Sequence, residues 1–310
     1  MYFPIFRGRQ FELLALRECI AGNLLSDSII PIIEPVKASS TFVKTLEAFA
    51  SADKRVSVIR NPYVGNFKKE LKKESSQGIK EAVSSLLLDC HVISSFYVDP
   101  HLGSYVERLE ERGIYRDSLI LIFENPDYIR FYEECIGDTH PKYNLIPDKG
   151  IFRRRIRHNR VLCEDRFPKQ SRNIDYLGIE NEFFSDDHLY YEDDYIGFSD
   201  YSVVGNEYSE TGFAPYAVAI HIVYFDENKT VRIAHFVSDS NDDISDPARK
   251  FSEAVQKLVE WNKTMQLETA GIKAFEAAFF NQNYPGLGVI KKYSIMHHME
   301  LMSRYLDGVL

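Results

Sequence analysis

The chain has 310 residues, of which 45% are hydrophobic, 13% aromatic and 27% charged, and its net charge is −9. That is ample apolar material for a large core, which excludes a disordered chain, and no apolar run reaches the ~18 residues a membrane helix needs, so a soluble, cytoplasmic protein is expected. Length alone leaves open one α/β barrel of ~250 residues or two average domains.

In chain order, "MYFPIFRGRQ" reads as a short strand at 2–6 followed by charge, not as a signal peptide. Further β-rich apolar runs follow at 29–33, 55–59, 92–98, 118–123, 143–146, 160–163 and 195–204. Most are continuously apolar, as expected of parallel strands covered on both faces. Between them lie helical patterns. "RQFELLALRECIAGN" repeats Phe11, Leu14, Ala15, Glu18 and Cys19 near a period of 3.6, and "TFVKTLEAFASAD" places Phe42, Leu46 and Phe49 on one stripe. Helices are also expected at 68–89, 103–112 and 127–136. Repeated strand–helix alternation predicts a (β/α)8 barrel-like parallel sheet.

Four of these strands end in a polar residue followed by proline: Glu34-Pro35, Asn61-Pro62, Asp99-Pro100 and Asn125-Pro126. Proline lacks an N–H and biases its predecessor toward extended geometry, so each pair marks the exit from a strand into a βα loop. The four polar residues are therefore expected at one end of the sheet, the C-terminal edge where such folds place ligands. Side chains alternate along a strand, so not all four can converge.

After the eighth strand the pattern changes. "APYAVAIHIVYF" (214–225) and "VRIAHFVS" (231–238) flank a five-residue loop as an antiparallel hairpin, in whose register Phe225 opposes Val231 and His221 opposes His235. An amphipathic helix then opens with Asp246 as N-cap and Pro247 in its first turn. The expected organisation is a single barrel-like domain over 1–310, with 205–245 as a hairpin insertion and 265–310 as a helical extension suited to covering the barrel or to self-association.

Charge is unevenly spread. Residues 173–228 hold 13 Asp and Glu and no Lys or Arg, leaving the remainder net positive, and directly before them "KGIFRRRIRHNR" has no acid. On a helix Arg153 and Arg157 are i, i+4 neighbours that could track a phosphate backbone. Alternatively the cluster docks on the acidic "SDDHLYYEDDY" segment, which could itself dock a basic partner. Cys19, Cys90, Cys135 and Cys163 are widely spaced, unlike structural zinc or redox sites, and are expected to be buried thiols.

The N-terminal pattern Y-x-P-x-x-x-G-x-x-x-E-x-x-A-L, met at Tyr2, Pro4, Gly8, Glu12, Ala15 and Leu16, resembles a bacterial family related to the phage "beta protein" family of mobile elements. "IIPIIEPV", "FSDYSVVG", "IHIVYF" and "IAHF" carry the likeness through most of the chain. The resemblance implies a barrel-like α/β fold, a role in genetic conflict such as phage defence, and a small nuclease-like neighbour. It supplies no catalytic residues.

The candidate catalytic groups are the strand-end carboxylates Glu34, Asp99, Asp165 and Asp200 and the paired His221 and His235. Candidate ligand-binding groups are Arg7, Arg60, Asn61, Glu124, Arg153 and Arg157. Carboxylates with arginines at a barrel mouth could hold a divalent metal and a phosphate together, and opposed histidines could share a proton or bind metal with Asp239, Asp242 or Asp243. Arginines beside acids also form structural ion pairs. Neither a Walker loop, a dinucleotide fingerprint, HExxH nor GxSxG occurs. The reading is a barrel that acts on or senses a phosphate-bearing ligand at its mouth, with a non-catalytic interaction protein as the alternative.

Overall fold

The computed structural model describes residues 1–210 and 215–310. In chain order its elements are β1 (Ile5–Phe6), α1 (Gln10–Ala21), β2 (Ile32–Ile33), α2 (Ser40–Ser51), β3 (Val56–Ile59), α3 (Phe67–Glu70), α4 (Gln77–Leu86), β4 (Val92–Tyr97), α5 (Leu102–Glu110), β5 (Ile120–Ile122) and α6 (Ile129–Ile136). They continue with β6 (Tyr143–Ile146), α7 (Gly150–Arg155), β7 (Arg160–Cys163), β8 (Asn181–Ser185), α8 (Asp187–Tyr190), β9 (Gly197–Ser199), β10 (Ala219–Phe225), β11 (Val231–Val237), α9 (Pro247–Met265), α10 (Ala270–Phe280) and α11 (Leu287–Leu306). The expected first residue of the hairpin, Ala214, lies outside the described residues. Among those residues no helix is long and apolar enough to cross a membrane.

Contacts divide the chain into two compact units. The first comprises Met1–Gln10, Asp27–Asp165 and Asp187–Tyr201, and the second Phe11–Ser26, Arg166–Asp186 and Ser202–Leu310.

In the first unit eight parallel strands run in the order β1-β2-β3-β4-β5-β6-β7-β9. The sheet closes on itself, because the Phe198 N–H donates to Met1 O (3.0 Å), Phe3 N–H to Phe198 O (2.9 Å) and Ile5 N–H to Asp200 O (2.8 Å). Closure removes both edges of this sheet, so none of its eight described strands is left open for pairing with another chain. Alternation decides the interior: Phe3, Ile5, Ile32, Ile59, Ile93, Tyr97, Ile120, Ile122, Leu145, Val161 and Tyr201 pack together as its core. Helices follow from their own signals. Ser39 caps α2 by accepting from Phe42 N (3.2 Å), and Phe42, Leu46 and Phe49 are its buried stripe.

Two local expectations fail here. Arg157 is not on a helix with Arg153, because α7 ends at Arg155: the chain turns extended at Ile156 to enter β7 at Arg160, only four residues later. The single helix expected over 68–89 is broken into α3 and α4.

The second unit is built on a three-stranded antiparallel sheet in the order β10-β11-β8. The hairpin register is the expected one, with Phe225 opposite Val231 and His221 opposite His235. Its third strand, β8, is drawn from the segment between barrel strands β7 and β9, where the sequence shows only the short run "NEFFS" flanked by acids. Ile220, Ile222, Ala234 and Phe236 pack with Phe251, Val255 and Leu258 of α9, Ile272 and Phe275 of α10 and Ile290 of α11. Asp246 caps α9 by accepting from Arg249 N (3.0 Å), as expected. Among the cysteines, Cys19 is buried, Cys135 and Cys163 are partly buried, and Cys90 is exposed in the turn before β4.

Candidate ligand site at the strand C-terminal ends

All four polar-Pro positions stand at the C-terminal ends of parallel strands, and alternation sorts them. Glu34, Asn61 and Asp99 share the inward parity of Ile32, Ile59 and Tyr97, as does Glu124 with Ile122. Asn125 has the opposite parity, and its Oδ1 accepts from Asp127 N (3.0 Å) to cap the turn that follows β5.

The inward groups are largely used by one another. Glu34 is fully buried; its Oε1 accepts from Tyr63 N (2.7 Å) and Val64 N (3.2 Å), and its Oε2 from Tyr97 Oη (2.8 Å) and the Arg7 guanidinium. Arg7 also donates to Tyr97 Oη (3.1 Å) and lies over the Tyr201 ring, 5.1 Å from its centroid. Burial opposes its charge, but Tyr97, Glu34 and Tyr201 more than offset that and hold the guanidinium charged. Asn61 Nδ2 donates to Tyr97 O (2.9 Å) and Asp99 Oδ2 (3.0 Å), while its Oδ1 accepts from Tyr97 N (2.9 Å), so the side chain extends the strand ladder beyond β3. Asp99 Oδ1 accepts from His101 N (2.7 Å).

Glu124 is the accessible carboxylate of this mouth. Enclosure by the rim pushes it above its ordinary range, against the pull of Arg7 and with a push from Glu34. Tyr63 stacks on Tyr97 at 4.4 Å and is 52% exposed, giving the mouth an aromatic lip. Asp165 follows β7 on the inward parity and is partly buried. Asp200 has the outward parity, and its Oδ1 accepts from Tyr2 Oη (2.7 Å), so it is not among the converging groups.

The arginine run is internally engaged. Arg153 donates to Asp148 Oδ1 (2.7 Å), which also accepts from Tyr195 Oη (2.9 Å); Arg155 forks onto Glu133, and Arg160 reaches Asp194 of the acidic segment (3.3 Å). Arg157 contacts Arg154 O (3.4 Å).

His221 and His235 belong to the second unit. Their Nδ1 atoms are 2.8 Å apart, and His235 Nε2 faces Glu182 Oε1 at 3.0 Å. The carboxylate thus comes from β8 and not from the expected aspartates; Asp239 is held by Lys257 (2.7 Å). Burial, with repulsion from His235 and Lys291, takes His221 down to about 3, so the pair shares one proton between neutral rings at neutral pH.

Among the described residues the one trio whose ligand atoms approach within 4.8 Å of one another is Asp89, Cys90 and His91. There the His91 ring is already bracketed by Asp89 Oδ1 (2.7 Å) and Asp53 Oδ1 (2.8 Å), and those hydrogen bonds raise its pKa.

The first unit carries a further feature, of which the sequence singles out only Arg60. A cavity of about 720 Å³ lies outside the barrel wall, lined by Arg60, Lys68, Phe96, Tyr105, Arg108 and Arg112, with Leu109 and Glu111. Arg60 and Phe96 have the outward parity, Lys68 is on α3, and Arg108 and Arg112 follow each other along the face of α5 and just past its end. None of the four cations has a carboxylate within ion-pair distance among the described residues. Arg60 donates to Ser94 Oγ (3.2 Å) and contacts Leu87 O (3.5 Å), both neutral. Burial, then repulsion from Arg112, pulls its guanidinium down to about 10. Burial likewise lowers Lys68, against the attraction of Asp99. The signal available in the sequence was the i, i+4 pair Arg108 and Arg112, but Arg60 and Lys68 join it only through the fold.

Comparison with family models, with curated proteins and with solved structures returned no match.

Proposed function

We propose that the first unit binds a phosphate-bearing ligand in this basic cavity beside the strand C-terminal ends, as a sensor and not as a hydrolase. The observation that carries the reading is that Arg60, Lys68, Arg108 and Arg112 line one cavity without a carboxylate partner, in a chain of net charge −9. Such a cluster is electrostatically unfavourable until an anion enters, and guanidinium forks match phosphate oxygens. The volume falls within the ~300–1,000 Å³ of small-molecule sites. Glu34, by contrast, has its lone pairs taken by internal donors, which argues against it as a metal ligand or base. Titration calorimetry of the intact chain at ~50 mM salt, where electrostatic binding is strong, tests this with inorganic phosphate and inorganic triphosphate. Saturable binding of either, lost in Arg60→Met, is expected; no heat with both anions refutes the site.

A setting in phage defence beside a nuclease-like neighbour rests on the sequence resemblance alone. The second reading, an interaction protein with an acidic docking segment, is favoured by Tyr190, 61% exposed beside exposed Glu192 and Asp193. Co-purification of a basic partner, lost on neutralising Glu192 and Asp193, tests it.

A further inference from the structure

Resting on that reading of the cavity, we infer that its ligand is a small molecule with two or more linked phosphates, not orthophosphate, a lone phosphomonoester or a nucleic-acid strand. Three properties of the lining carry this.

The first is charge. The lining holds four cations and one carboxylate, Glu111, with Asp99 beyond Tyr105, whose hydroxyl lies 3.5 Å from Asp99 Oδ2. One phosphoryl group brings about −1.5 to −2 at neutral pH and leaves part of the lining uncompensated. Linked phosphates match it. The second is extent. A cavity of about 720 Å³ has room for a drug-sized ligand, far more than a five-atom ion fills. Its cations are also spread over separate elements: Arg60 past β3, Lys68 on α3, Arg108 on α5 and Arg112 just past its end. Successive phosphates laid along that lining would each meet a cation.

The third property separates a short ligand from a strand. Tyr105 stacks on Phe96 at 5.3 Å and carries the Arg108 guanidinium over its ring at 5.3 Å, so the aromatic pair orients a cation instead of offering a platform for bases. Only the part of a long polyanion lying within a Debye length, about 8 Å, of the four cations would gain from them. A compact oligophosphate stays inside the favourable region.

The test is calorimetric titration of the intact chain at ~50 mM salt with three probes: inorganic triphosphate, orthophosphate and a 20-nucleotide single-stranded DNA. Triphosphate is expected to bind at least about tenfold more tightly than orthophosphate, as one added charge-assisted contact would provide. Arg112→Ala and Arg108→Ala, both at exposed positions, should each weaken triphosphate by about tenfold while moving orthophosphate less. Arg112→Glu, with circular dichroism confirming its fold, should abolish triphosphate binding. Equal affinity for triphosphate and orthophosphate overturns the linked-phosphate inference and leaves the anion site standing. Binding of neither removes both. DNA binding tighter than triphosphate also overturns the inference, because it moves the ligand to a strand backbone.

Discussion

The Arg7 guanidinium and the Glu34 carboxylate form an ion pair at the mouth of the barrel, buried between the ends of β1 and β2, with Tyr97 Oη donating to the same carboxylate. Removing one member of a buried pair leaves the other uncompensated, so Glu34→Ala is expected to lower the unfolding free energy by about 3–5 kcal/mol. Urea denaturation measures it. A loss under about 1 kcal/mol would show that Glu34 is not structural and would return it to the list of candidate catalytic groups.

Arg60 predicts the opposite relation between stability and function. It is half-buried, close to Arg112, and bonded only to neutral oxygens, so it costs stability while the cavity is unliganded. Arg60→Met keeps the aliphatic packing and removes that repulsion. The variant should melt at the same temperature as the parent or higher, and gain nothing from added triphosphate. A clear fall in melting temperature would mean that Arg60 is there to hold the barrel wall.

Three histidines of the second unit, His297 and His298 buried and His221 partly buried, predict acid sensitivity. His221 is taken down to about 3, His297 to about 4 and His298 to about 3, in each case chiefly by burial. These are lowered folded-state values, so the folded chain stays neutral at these sites while the unfolded chain takes up protons below its ordinary value of 6.5. Stability is therefore full above about pH 6.5 and falls on acidification, by roughly 2 kcal/mol per histidine between pH 7 and 5 if unfolding is global. Urea midpoints across that window check the sign, ahead of most carboxylate titration. A flat profile would place the histidines in contact with water.

Gly65 tests the loop that delivers Tyr63 and Val64 to Glu34. Its φ is +76°, and a Cβ there would lie 2.5 Å from Val36 O, which is backbone and cannot swing aside. Gly65→Ala should cost about 1–3 kcal/mol and loosen the loop, read as faster proteolysis near residues 62–66. Unchanged proteolysis and stability would show that the β3–α3 loop is not held as described.

The sequence alone determined what depends on near neighbours along the chain. The parallel strands and their shared C-terminal edge follow from apolar runs closed by polar-Pro pairs, and the facing of His221 by His235 follows from a loop of fixed length. Helix caps such as Asp246 are equally local. Only the tertiary structure decided which polar residues are spoken for and which are not. Glu34 looked available until donors from residues 7, 63, 64 and 97 closed on it, and Glu182 met His235 because β8 returned to pair with β11. Arg60 stands out in the sequence as a strand-end candidate, but Lys68, Arg108 and Arg112 carry no signal one at a time. They become a site because the barrel wraps β3, β4 and α5 around one volume, and the field inside it is a sum over residues as much as 52 positions apart that no short window of sequence contains.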